Sequence, residues 1–144
     1  MEIERKFLVD KLPEMNINKY DNIKQYYLSL DPEIRIRNKN DKTYLMTVKS
    51  SGGMIRKETE FEITESIFKE LIEVSISCVS KTRHYIGRLE FDIYFNIKDL
   101  MTVEIEFDSE KEANEFIPLD WFGKEVTYDK RYKNKNLAIK RRDE

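Results

Sequence analysis

The sequence predicts an α+β domain built on an eight-stranded antiparallel β-barrel, with a charged lumen and an apolar outer face covered by short helices. Three observations carry that expectation. Segment after segment alternates apolar and charged residues with a period of two, the signature of strands. The segments follow one another through short turns, as sequential antiparallel strands do. Helical signals are confined to three short stretches, which is enough to cover a sheet but not to form a core alone. The chain has 144 residues and is 40% hydrophobic, which suits one domain spanning 1–144. No repeat, low-complexity tract or linker interrupts it.

Met1 to Val9 alternates and reads as the first strand. Ile23 to Leu30 is rich in Ile, Tyr and Leu and stops before Pro32. Glu33–Asn38 and Thr43–Lys49 form a hairpin around Asn38-Lys39-Asn40-Asp41, and Ser51-Gly52-Gly53 turns the chain into a strand from Met54 to Ile63. Glu65 to Val74 places Ile67, Phe68, Leu71 and Ile72 at helical spacing. Val79–Ile86 and Arg88–Phe95 are strands joined tightly at Gly87, and Thr102–Phe107 is the last clear strand. Ser109 N-caps a helix running to about Phe116, with Glu112 at the capping-box position. The tail from Tyr128 to Arg142 is expected to be helical, with Leu137, Ala138 and Ile139 as its apolar patch.

Composition excludes several classes. The chain is 38% charged, but its 26 basic and 28 acidic residues nearly cancel, leaving no electropositive footprint for nucleic acid. No run of about 18 apolar residues is present, so no membrane span is expected. The opening MEIERKFLV is a strand pattern and not a signal peptide. Cys78 is the sole cysteine, so no intramolecular disulfide is available and no disulfide framework is expected. A cytoplasmic protein is expected.

Sorting the charges by strand face gives one consistent result. Glu2, Glu4 and Lys6 share a face opposite Ile3, Phe7 and Val9; Arg35 and Arg37 lie opposite Ile34 and Ile36; Thr47 and Lys49 lie opposite Met46 and Val48. Arg56, Glu58, Glu60 and Glu62 form another row, Lys81 and Arg83 a pair, and Glu90 and Asp92 lie opposite Leu89, Phe91 and Ile93. Glu104 and Glu106 lie opposite Val103, Ile105 and Phe107. For any one strand, a wet face opposite a buried face explains this. For the set, three details favour an inward charged face: signs are segregated by strand, Thr and Ser are sparse there, and the basic strands carry arginine, which suits bidentate phosphate contacts. Buried unpaired, such charges cost several kcal/mol each. A polyanion accompanied by metal ions neutralises the arrangement, and an all-oxygen ligand set favours Mg²⁺ or Mn²⁺.

These residues resemble the CYTH superfamily, the triphosphate tunnel metalloenzymes. Glu2-Ile3-Glu4-Arg5-Lys6 is similar to its ExExK signature, Arg35-Ile36-Arg37 to RxR, Thr47-Val48-Lys49 to TxK, and Arg56-Lys57-Glu58-Thr59-Glu60 to RxExE. Lys81-Thr82-Arg83 resembles KxR. Leu89-Glu90-Phe91-Asp92 and Val103-Glu104-Ile105-Glu106-Phe107 resemble the late acidic strands, and Glu125-Val126-Thr127 with Asp129 and Arg131-Tyr132 the C-terminal EVTxDxRY. One such motif is weak; eight in order across nearly the whole chain are specific.

The resemblance implies a tunnel and metal-dependent hydrolysis of the terminal phosphate of a small triphosphate, inorganic tripolyphosphate being favoured because a short chain leaves little for nucleobase recognition. Arg35, Arg37, Lys49, Lys81 and Arg83 form the implied phosphate set, joined by Arg56 and by Arg131 or Lys130 at the mouth. Lys6 contacts a phosphate or steers the attacking water, and Glu2 and Glu4 act with it in catalysis. Glu2, Glu4, Glu58, Glu60, Asp92, Glu104 and Glu106 are the implied ligands for two ions, Mg²⁺ or Mn²⁺. Glu62 is expected as a salt-bridge partner near the rim, and Glu125 as a closure of the ring of charges. His84, on the face opposite Lys81 and Arg83, is expected to be structural, and Cys78 is not a nucleophile. Trp121 and Phe122 are expected to pack the terminal segment. Only one of Tyr26 and Tyr27 can face the lumen. The expected partner is a small triphosphate or polyphosphate, with no nucleic acid and no membrane; a homodimer is compatible with the sequence. Alternatives are an adenylate cyclase forming cyclic AMP, whose His-Phe motif is missing here, a thiamine or nucleoside triphosphatase, and a non-catalytic polyphosphate-binding module, which needs fewer carboxylates.

Overall fold

The alternating segments form one antiparallel sheet. The computed structural model describes residues 3–14, 18–50 and 57–140. Its elements are β1 (Ile3–Leu8), β2 (Tyr20–Leu30), β3 (Glu33–Lys39), β4 (Thr43–Lys49), β5 (Glu58–Glu62), α1 (Glu65–Ile72), β6 (Ser77–Ile86), β7 (Leu89–Tyr94), β8 (Met101–Phe107), α2 (Glu110–Glu115), a 3-10 turn (Lys130–Tyr132), α3 (Asn134–Leu137) and β9 (Ile139–Lys140). Strand order is β1-β8-β7-β6-β2-β3-β4-β5, with β9 added beside β6. The expected Ser51–Gly53 turn, the start of the fifth strand at Met54, Glu2 and Arg56 lie outside the described residues.

Turn chemistry sets the hairpins. Asn40 and Asp41 take φ of 58° and 56°, the positive values a type I′ turn requires, and Lys42 N donates to Lys39 O. Gly87, with φ 57°, opens the two-residue link between Ile86 and its partner Leu89. Thr64 and Ser109 accept from Ile67 N and Glu112 N and so start α1 and α2. The Glu112 carboxylate goes to Arg88 at 2.6 Å.

The register turns most apolar residues of β1, β3, β7 and β8 outward, while Ile23 and Tyr27 of β2, Val79 of β6 and Tyr94 of β7 share the inner side with the charges. Phe7, Val9, Leu89, Phe91, Val103, Ile105 and Phe107 form the main core with Ala113 of α2, closed by Phe116, Trp121 and Phe122. Trp121 and Phe122 stack edge-on at 4.7 Å, and Phe122 lies 4.9 Å from Phe7, so they pack the terminal segment as expected. On the other half of the sheet α1 inserts Phe68 between Tyr26 and Tyr44. His84 sits on this outer side between Tyr20 and Phe91.

The tail departs from expectation. Asp129 accepts from Arg131 N and makes only a 3-10 turn, and α3 ends after four residues because Ala138 is extended, with φ −63° and ψ 135°. Asn134 and Asn136 are poor helix formers. Leu137 and Ala138 instead pack on Tyr27, Val79 and Tyr94, and Ile139–Lys140 pair with Ser77–Cys78.

Among the described residues no ladder joins β1 to β5. The open edge of β1 is covered by the segment after α2. Gly123 N donates to Leu8 O, Leu8 N to Lys124 O, and Val126 N to Lys6 O, at 2.7–2.8 Å. This strap blunts an edge otherwise open to pairing. Among the described residues no helix is long and apolar enough to cross a membrane.

A Cβ at Gly123 would sit 2.8 Å from the Leu8 carbonyl oxygen, so the strap fits only with glycine there. Gly123→Ala is expected to lower the unfolding free energy in denaturant by ~1–3 kcal/mol. A loss below ~0.5 kcal/mol, the range of an inert surface change, contradicts this packing.

Candidate active site

Partner residues across an antiparallel ladder share a face, so one row of register pairs traces the inner surface. Glu4 faces Glu106, and Lys6 faces Glu104. Glu104 faces Glu90, and Asp92 faces Arg83. Gln25 and Tyr27 face Arg37 and Arg35. Arg35 and Glu33 face Thr47 and Lys49, which face Glu60 and Glu58. All described charges expected inside, from Glu4 to Glu106, lie on this surface.

A cavity of ≈ 520 Å³ opens on it, lined by Glu4, Lys6 and Glu104 at one end of the strand order and by Arg35, Lys49 and Glu58 at the other. Residues from both ends reach one cavity only if the sheet is rolled around it. The terminal segment closes the remaining side with Val126, Thr127, Asp129 and Tyr132–Lys135.

The lumen has a closed floor and an open half. In the floor, Arg83 grips Asp92 with two bonds, Nε to Oδ1 at 2.8 Å and Nη2 to Oδ2 at 3.0 Å, and Glu90 with a third at 2.6 Å. Lys81, fully buried, places Nζ 3.0 Å from Asp92 Oδ2 and 5.4 Å from the Tyr94 ring centre. Burial alone would raise the Asp92 carboxyl, but the charges of Lys81 and Arg83 hold it well below the usual carboxylate range. Burial pushes Lys81 down to about 7 against the pull of Asp92, with Arg83 and Arg37 adding to the fall. Arg37 donates from Nε to Gln25 Oε1 at 2.6 Å, and Gln25 Nε2 to the Tyr27 hydroxyl at 2.6 Å. Burial, then Arg35 and Arg83, lower Arg37 to about 10.

The open half is less committed. Arg35 donates from Nη1 to Glu33 at 2.7 Å, while its buried Nε has no hydrogen-bond partner among the described residues. Lys49 lies 3.8 Å from the same Glu33 oxygen. Lys6 donates from Nζ to the Tyr132 carbonyl at 2.6 Å and lies 3.8 Å from Glu104. Glu60 accepts from Thr47 at 2.7 Å.

Two expectations for the terminal segment change. Arg131 does not line the cavity: a two-bond contact with Asp129 holds it outward, 76% exposed, and Asp129 is the residue that faces the cavity. Glu125 does not close the ring: it lies outside, held by Arg5. Gln25, Glu33, Tyr27, Thr127, Asp129 and Tyr132–Lys135 are site residues that the sequence reading does not include. Strand parity signals the first three, since Gln25 and Tyr27 share a face and Glu33 lies two before Arg35. No periodicity marks an irregular terminal segment.

A rolled antiparallel sheet with an ionic interior, basic residues opposite carboxylates and an apolar exterior defines a polyanion-binding tunnel. The chain belongs to the CYTH domain family, which it matches over residues 1–115. It is 43% identical to an inorganic triphosphatase of Nitrosomonas europaea, over 96% of this chain and 97% of that protein. It is 33% identical to an inorganic triphosphatase of Acetivibrio thermocellus, over 95% and 92%. The crystal structure of an inorganic triphosphatase superposes with a TM-score of 0.73 at 40% identity, covering 96% of this chain and 94% of that one.

Asp92→Asn leaves two buried cations without their counterion and is expected to cost ~3–5 kcal/mol of stability. The wild-type advantage is present above the unfolded carboxyl value of about 4 and is lost as pH falls from there toward the lower folded value. Denaturant unfolding at pH 7 and at progressively lower pH checks both; a variant as stable as wild type at pH 7 contradicts the counterion role.

Proposed function

We propose that this chain is a metal-dependent triphosphatase that hydrolyses the terminal phosphate of inorganic tripolyphosphate inside the rolled sheet. The observation that carries the reading is the lining of the open half: Lys6, Arg35 and Lys49 face the same ≈ 520 Å³ space as Glu4, Glu58 and Glu104. The two curated relatives bear the name inorganic triphosphatase, which supports the reading.

Arg35 and Lys49 bind the substrate's phosphate oxygens, the guanidinium through its unpartnered Nε edge. Arg37, Lys81 and Arg83 lie beneath and supply positive field from the floor, Asp92 keeping that floor intact. Arg131 is left out of the set. Lys6, with Nζ held by the Tyr132 carbonyl, neutralises the terminal phosphate as charge shifts during in-line attack by water.

The donor set fits divalent cations. Among the described residues no cluster of three or more His, Cys, Asp or Glu side chains could hold a metal ion. Mg²⁺ and Mn²⁺ suit that situation, because such ions take one or two carboxylates and complete their shell with substrate phosphates and water. Glu4, Glu58 and Glu104 would hold them, with Glu60 and Glu106 beside them and Glu2 before them in sequence; both Asp92 oxygens are committed to Lys81 and Arg83. When bound, a divalent ion supplies neutralisation of the phosphate oxygens. Two ions fit the number of carboxylates.

Phosphate release from tripolyphosphate with Mg²⁺ or Mn²⁺ tests the reading, with ATP as the competing substrate; cyclic AMP formation in place of phosphate release overturns it. Arg35→Ala is expected to raise KM roughly ten- to a hundredfold, the loss of a charge-assisted contact, with a smaller effect on kcat. Glu4→Ala is expected to lower kcat about a hundredfold or more and to alter the metal requirement. An unchanged KM in Arg35→Ala removes the phosphate-binding assignment.

A further inference from the structure

On the outward face of β1, β7 and β8, which carries the main core, Arg5 is the one charged residue among the described strand positions. Arg5 lies on the outer side of β1, its guanidinium carbon 5.2 Å from the Phe7 ring centre and 5.9 Å from that of Phe116. Its immediate neighbour Lys6 points inward and lines the cavity. A cation placed among aromatics against the local pattern calls for a reason beyond solubility.

Arg5 uses all of its fork. Nε and Nη2 donate to the two oxygens of Glu125, at 2.9 and 2.7 Å, and Nη1 donates to the carbonyls of Ala113 and Phe116, at 2.9 and 3.1 Å. It therefore ties β1 to both the end of α2 and the strap. Glu125 also accepts from the Thr127 hydroxyl at 2.6 Å. That hydroxyl oxygen accepts from the backbone N of Lys6 at 3.0 Å, while Val126 N donates to Lys6 O at 2.8 Å. Past Thr127, which faces the cavity, Tyr132 supplies the carbonyl that holds Lys6 Nζ. The strap thus fixes Lys6 at three points, its N, its O and its Nζ, and Arg5 with Glu125 fixes the strap. Neither Arg5 nor Glu125 lines the cavity.

We infer that Arg5 and Glu125 form an external clamp that positions Lys6 for triphosphate hydrolysis, acting through Thr127 and the Tyr132 carbonyl. The inference rests on the triphosphatase reading for its effect on turnover, but not for its effect on Lys6. The pair is partly solvent-exposed, so its contribution to stability is small. Its consequence is geometric: a displacement of about 1 Å at a reacting centre can lower a rate by about a hundredfold.

The test uses Arg5→Ala, Glu125→Gln, their combination and Arg5→Lys, assayed well below the thermal midpoint of each. Lys69→Ala, which breaks the exposed Lys69–Glu65 bridge on α1, serves for comparison and keeps wild-type turnover. Arg5→Ala and Glu125→Gln are expected to lower kcat roughly tenfold or more with KM nearly unchanged, and the double variant to be no worse than the poorer single. Arg5→Lys does not rescue, since an ammonium cannot span a carboxylate and two carbonyls. Lysine labelling with an amine-reactive ester, read by peptide mass spectrometry, follows Lys6 without turnover: its label is expected to rise several-fold in the variants, while Lys81 stays protected and reports an intact floor. Wild-type kcat in either single variant, multiplicative losses in the double, or unchanged Lys6 labelling overturns the clamp. Failure of the unaltered protein to release phosphate counts against the triphosphatase reading alone, and the labelling still decides the clamp.

Discussion

Cations can be gathered inside a barrel only if a counterion is fixed among them. Asp92 is that counterion, held by two bonds from Arg83 and an ion pair from Lys81 at 3.0 Å. With part of the floor's charge balanced by the protein itself, Arg35 and Lys49 above it converge on Glu33. The lumen therefore keeps recognition capacity at its open half while its deeper half stays folded without a ligand. The same division explains why the main core lies outside: with much of the interior given to charge, it forms between the sheet and its covering of α2 and the aromatic residues after α2, while Tyr27, Val79 and Tyr94 make a smaller cluster on the inner side.

Much of this arrangement was legible in the sequence. A two-residue period is enough to decide which side of a strand a residue takes, so the inward placement of Glu4, Lys6, Arg35, Arg37, Lys49, Lys81, Arg83, Asp92 and Glu104 followed from parity once one strand's direction was known. Parity does not say how charges pair. Asp92 read as a metal ligand because it falls in the acidic rows; only the ladder that sets it opposite Arg83 shows both oxygens committed. In the same way Glu125 read as an inward charge, since nothing local reveals that its segment lies along the edge of β1, 120 residues from Arg5.

The terminal segment was the least legible part because its structure is set by long-range contacts. Leu137 and Ala138 suggested an amphipathic helix, yet their partners are Tyr27, Val79 and Tyr94 on the sheet. The Tyr94 hydroxyl donates to Asn134 at 2.6 Å and helps fix that end. What results is an irregular wall that supplies backbone carbonyls and hydroxyls to the cavity, a role for which sequence has no periodic signature. The consequence is that cavity and exterior are joined: a residue on the apolar side, Arg5, governs the wall that holds Lys6.

The central claim, that a polyanion is bound by the rolled inner face, is tested most directly by a crystal structure of the protein with tripolyphosphate and a divalent cation. The account predicts phosphate oxygens within hydrogen-bond distance of Arg35 and Lys49, with the cation between those oxygens and Glu4, Glu58 or Glu104. A triphosphate bound only on the outer surface, with the lumen side chains still paired among themselves, would contradict it.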